Sequence, residues 1–124
     1  MTDRPPSSGI ADWNVALEAV EGDPQLLKEV VEAYLEESPR LLSDLHTAIS
    51  GGDAPLLRRA SHTLKSSMRY FGATRLYELA ARLESMGREG QLQDAESSLA
   101  ALSGDLSRLA EELQSFVERQ SRAG

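Results

Sequence analysis

Apolar residues recur along this chain at steps of three and four, and no stretch alternates with a period of two, so the pattern predicts helices and no sheet. A short amphipathic piece opens the series, with Asp12 as N-cap, Trp13, Ala16, Leu17 and Val20 on one side, and Gly22 as its end. Asp23-Pro24 pairs a capping residue with proline at the first helical position and starts a helix that buries Leu27, Val30, Val31 and Tyr34. Ser38-Pro39 either kinks that helix or restarts it. Leu41, Leu42, Leu45, Ala48 and Ile49 resume the same stripe, which favours one continuous path as far as Gly51-Gly52. Asp53 caps a third helix that tolerates Pro55 in its first turn and runs to about Phe71, with Gly72 as a left-handed stop. The pattern makes Thr74 the cap of a fourth helix carrying Leu76, Leu79, Leu83 and Met86, with Gly87 and Gly90 bracketing the next turn. A final helix presents Leu92, Ala95, Leu99, Leu102, Leu106, Leu109, Leu113 and Phe116.

That last stripe has the spacing of a coiled-coil seam. The three helices before it also carry apolar faces in need of a partner, which favours the inner wall of a bundle. Short connections imply antiparallel neighbours. The expected fold is therefore all-α, an antiparallel up-down four-helix bundle with a short additional N-terminal helix. A length of 124 residues suits one domain. The expected division is a disordered leader over residues 1–10 and a bundle over 11–121.

Composition narrows the chemistry. There is no cysteine, hence no disulfide, thiol chemistry or Cys-based metal site. No apolar run approaches the roughly 20 residues that span a bilayer, and the polar, proline-containing start lacks the apolar core of a signal peptide. A cytoplasmic location with no membrane partner is the simplest expectation. The net charge of −7 argues against nucleic acid, whose backbone demands a basic footprint. That charge is uneven: residues 53–72 carry Arg58, Arg59, Lys65 and Arg69 against Asp53, a local +3, so the remainder carries −10. Such a basic island is either a solvated helix face or a site for a small anion or an acidic partner surface.

His62 lies inside the island. On a helical wheel Leu57, Ala60, Leu64, Met68 and Phe71 form one stripe, and His62 projects roughly 160° from its centre, toward solvent. Arg58, Lys65, Ser66 and Arg69 share its face. These cations disfavour a further positive charge on the ring, leaving the neutral, nucleophilic imidazole, and they would welcome a phosphoryl group once attached. By itself an exposed histidine is more often an ordinary surface residue. An antiparallel hairpin turning near Gly72-Ala73 would bring Glu84 to the level of His62, either against the imidazole or as a solvated flank residue. His46 falls at the edge of the second helix's stripe, without a cationic ring, and reads as structural. Neither histidine is preceded by Glu at the third position, so the Glu-x-x-His code of di-iron bundles is missing and no metal site follows.

The run His62-Thr63-Leu64-Lys65-Ser66-Ser67, followed by Phe71-Gly72-Ala73, resembles the signature of histidine-containing phosphotransfer domains of two-component phosphorelays. That signature reads His-x-Leu-Lys-Gly-Ser, then an apolar residue and Gly-Ala at the same remove. The resemblance implies that His62 accepts a phosphoryl group through Nε2 from a receiver-domain aspartyl phosphate and returns it to another receiver aspartate. It implies that Lys65 neutralises the phosphoryl charge, and that a carboxylate on the next helix, here Glu84, bonds Nδ1. Ser66 replaces the family glycine; it either crowds an approaching receiver or donates a hydrogen bond to the phosphoryl oxygens. Arg58, Arg59, Ser66, Arg69 and Tyr70 are the expected docking residues, although Tyr70 also reads as a boundary residue beside Phe71.

A carrier of this kind needs no cofactor of its own. Mg²⁺ and most of the catalysis are expected on the partner receiver. No Gly-x-x-x-x-Gly-Lys loop is present. Response-regulator receivers and a hybrid sensor histidine kinase are the expected partners of a monomeric chain. Two alternatives stand beside the carrier. One is a bundle that binds receivers without transferring phosphate, which Ser66 favours. The other is the dimerisation helix pair of a histidine kinase, disfavoured because Thr63 stands where that family commonly has an acidic residue.

Overall fold

The computed structural model describes residues 9–123, so all but the last two positions of the expected leader lie outside the described residues. The described elements are all helical: α1 (Trp13–Ala19), α2 (Pro24–Gly51), α3 (Ala54–Tyr70), α4 (Thr74–Glu89) and α5 (Ala95–Ala123). The long helices form a ring in which α2 packs on α3 and α5, and α4 packs on the same two. Leu27, Leu45, Leu57, Leu64, Met68, Leu76, Leu83, Leu102, Leu109 and Leu113 are fully buried at its centre.

Local chemistry accounts for the helix limits. The Asp12, Asp23 and Asp53 carboxylates each accept first-turn amides, at 3.1 Å from Asn14, 3.0 Å from Gln25 and 3.1 Å from Leu56. Helix α2 continues through Pro39. Proline removes the amide that would bond the Leu35 carbonyl, and the Ser38 hydroxyl donates to that carbonyl instead at 3.2 Å. Two expected boundaries move. Thr74 is the first residue of α4 rather than its cap; the cap position is Ala73, which offers no side-chain acceptor. Leu92 lies in the turn before α5, where it still packs on the core.

The N-terminal helix covers the α3–α4 turn. The Asp12 amide donates to the Phe71 carbonyl at 2.9 Å, and Trp13 stacks on Phe116 of α5 with ring centroids 4.8 Å apart. Gly72 has a φ of +65°, and a Cβ there would stand 2.7 Å from Asp12 Cβ and 2.9 Å from Val15 Cβ. Both the left-handed turn and the approach of α1 therefore require glycine. Ile10 and Ala11 donate their amides to the Glu112 carboxylate, which ties residue 10 to α5 although it fell in the expected leader.

Candidate functional site

Helices α3 and α4 form an antiparallel hairpin about Phe71-Gly72-Ala73, so residues equally distant from the turn meet. Gly87 marks how closely they pack: a Cβ on it would lie 2.6 Å from the Arg58 amide nitrogen and 2.9 Å from the Ala54 carbonyl oxygen. It was expected to bracket a turn, but it is buried inside α4, which ends only at Glu89. Leu76, Ala80, Leu83, Glu84 and Gly87 form the stripe of α4 that is buried.

This close approach places one carboxylate between two bases. Glu84 Oε2 lies 2.8 Å from His62 Nδ1, and Oε1 lies 2.6 Å from Lys65 Nζ. The three side chains are exposed to different degrees: 61% for His62, 21% for Lys65 and 10% for Glu84. Burial pushes the Glu84 carboxyl up, but the hydrogen bonds and positive charge of Lys65 and His62 outweigh it and hold the group below the ordinary carboxylate range. An ionised Glu84 accepts the proton of Nδ1. In a neutral ring that contact would fix the tautomer and leave the lone pair at Nε2, on the opposite edge.

The remaining expected residues separate into engaged and unengaged. Lys65, which periodicity places on the open face, is mostly covered: its Nζ lies 2.6 Å from Glu84 Oε1 and 6.0 Å from the Tyr77 ring centroid. Arg69 donates to the Tyr77 hydroxyl at 2.9 Å and lies over the same ring at 5.3 Å. Arg58 and Arg59 are exposed and form no ion pair among the described residues; with Pro55, Thr63 and Glu84 they line an open cleft that includes His62. The Ser66 hydroxyl donates to the His62 carbonyl of its own helix at 3.2 Å, a bond not among those weighed from the sequence. Ser66 and the half-buried Tyr70 line a mostly apolar groove between α2 and α3 with Val30, Ala33, Tyr34 and Phe71. His46, expected at a stripe edge, is exposed.

Tyr77 and Gly87 also belong to this neighbourhood, and neither is among the expected site residues. Gly87 carried a usable signal, since it continues the Ala80, Leu83, Glu84 stripe at helical spacing. Tyr77 carried none, because an aromatic at the edge of an apolar stripe reads as core.

The folded chain superposes on the crystal structure of histidine-containing phosphotransfer protein B from Pseudomonas aeruginosa PAO1 with a TM-score of 0.83. The match covers 91% of this chain and 98% of that one at 24% sequence identity, so it speaks to the fold. No curated protein sequence matches significantly. The family model of the Hpt domain matches residues 29–119, a span that includes His62, Lys65 and Glu84, and the chain belongs to the Hpt domain family.

Proposed function

We propose that the chain is a phosphorelay carrier whose His62 Nε2 takes a phosphoryl group from a receiver aspartyl phosphate and delivers it to a second receiver aspartate. The observation that carries this reading is the 2.8 Å contact between Glu84 Oε2 and Nδ1 of a ring that is itself 61% exposed. In the forward step the Nε2 lone pair attacks phosphorus, the bond from phosphorus to the aspartate oxygen breaks, and the aspartate carboxylate leaves. The ring becomes a phosphoimidazolium that keeps its Nδ1 proton. Glu84 stands against the positive charge as it develops, so it stabilises the transition state more than the neutral ground state. Reversal of the same step discharges the group.

In this reading Mg²⁺ belongs to the receiver's aspartate pocket, and the carrier supplies an oriented nucleophile. The four long helices run alternately up and down, which the ring order of packing and the short connections support. The apolar groove beside His62 is the surface assigned to the docking receiver, with Ser66 and Tyr70 at its rim. The test is incubation of the full chain with a receiver bearing labelled aspartyl phosphate. Acid-labile, alkali-stable label on this chain, lost in His62→Gln, is expected. Receiver binding without transfer of label would make the chain an adaptor.

A further inference from the structure

The basic island does not present four equivalent cations to an incoming phosphate. Lys65 is held 2.6 Å from Glu84, and the charges of that pair cancel. Arg69 is turned onto Tyr77, which binds it by a hydrogen bond and through its ring face. Arg58 and Arg59 remain: both are exposed, neither is ion-paired among the described residues, and both line the cleft that contains His62. They stand four and three positions before it on α3, where side chains begin about 5–6 Å apart on one helix face.

Resting on the carrier reading above, the geometry points to Arg58 and Arg59 as the binding residues for the phosphoryl oxygens on His62, with Lys65 acting through Glu84 instead. Charge supports this division. A phosphoryl group adds about two negative charges. Lys65 is already matched by Glu84, and leaving Glu84 to meet the phosphoryl group would strand a buried carboxylate beside the imidazole. The imidazolium ring offsets one of these charges, the arginines supply the positive charge that faces the remainder, and a guanidinium fork engages two oxygens at once. The closeness of α4 helps as well. Gly87 faces the Arg58 backbone with no side chain of its own, so no carboxylate from that position competes for Arg58.

The test uses phosphoramidate as donor, which needs no docking receiver. Nε2 attacks phosphorus, the donor P–N bond breaks and ammonia leaves, while Nδ1 keeps its proton toward Glu84. The full chain is compared with Arg58→Gln/Arg59→Gln and with Arg58→Lys/Arg59→Lys. Circular dichroism melts verify that each variant is folded. The glutamine pair is expected to form phosphohistidine about tenfold more slowly, equivalent to about 1.4 kcal/mol. The lysine pair recovers most of that rate, and the phosphorus resonance of the phosphorylated chain moves in the glutamine pair. Raising the salt concentration slows the wild type and leaves the glutamine pair nearly unaffected. Rates within about twofold of wild type in the folded glutamine pair would overturn the assignment while leaving the carrier reading intact. A wild-type chain that takes phosphate neither from phosphoramidate nor from a receiver would overturn both.

Discussion

Glu84 reaches across the α3–α4 hairpin to place Oε2 2.8 Å from Nδ1 of His62, twenty-two positions earlier in the chain. The same carboxylate meets Lys65 through its other oxygen, so a single buried anion contacts both the imidazole and the lysine one turn along α3. Loss of this acceptor is expected to slow transfer. Glu84→Ala should reduce phosphoryl transfer by about 10–100-fold, the scale known for removing the partner that orients a metal-bound imidazole. Glu84→Gln keeps an oxygen for Nδ1–H and should lose less. Single-turnover transfer from a phospho-receiver measures both; equal rates for wild type and alanine variant would deny Glu84 an orienting role.

Acid should weaken the fold partly through this carboxyl. Its folded-state value lies below the ordinary 4.5. The stabilisation from its ionised form is therefore fully present above 4.5 and is lost as the pH falls through the lower folded-state value. Denaturant melts at a series of acidic pH values should show a shallower acid loss for Glu84→Gln than for the wild type. Parallel curves would place the carboxyl outside the ion-paired environment seen here.

Lys65→Ala strips the counter-charge from a carboxylate oxygen that is sealed from water. A cost of about 1–3 kcal/mol in stability is expected, together with slower transfer. Because Lys65 and Glu84 act as a pair, Lys65→Met combined with Glu84→Gln should lose less than the sum of the single changes. A double-mutant cycle on both melting and transfer measures this, and strict additivity would separate the two residues.

Gly87→Ala pushes a methyl group against the Arg58 and Ala54 backbones, which cannot move aside as a side-chain tip can. A loss of about 3 kcal/mol in stability is expected. Transfer should fall as well, because the wedge separates the helices that bring Glu84 to His62. A melt unchanged from wild type would show that the two helices do not pack this closely.

Much of this site could be read before any coordinates. The wheel of the third helix puts His62 outside the Leu57, Leu64, Met68 stripe, and counting equally both ways from the Gly72-Ala73 turn puts Glu84 at its level. Both inferences need only a regular helix and a tight turn. Side-chain choices among several partners were not legible in the same way. Lys65 and Arg69 sit on the exposed face by periodicity, yet Glu84 and Tyr77 of a different helix draw them aside. Ser66, at the family's glycine position, satisfies itself on the His62 carbonyl within its own helix. Periodicity puts Gly87 on the buried stripe of α4, but the distance between two backbones that makes glycine necessary there is not written in the sequence.

For His62 to carry phosphate as proposed, Nδ1 must be protonated toward Glu84 and Nε2 must be the atom that is phosphorylated. Long-range proton–nitrogen correlation spectra of the His62 ring, recorded before and after phosphorylation with phosphoramidate, test it most directly. An Nδ1–H tautomer is expected in the free chain, with phosphorus coupled to Nε2 in the phosphorylated one. An Nε2–H tautomer, or phosphorus coupled to Nδ1, would contradict it.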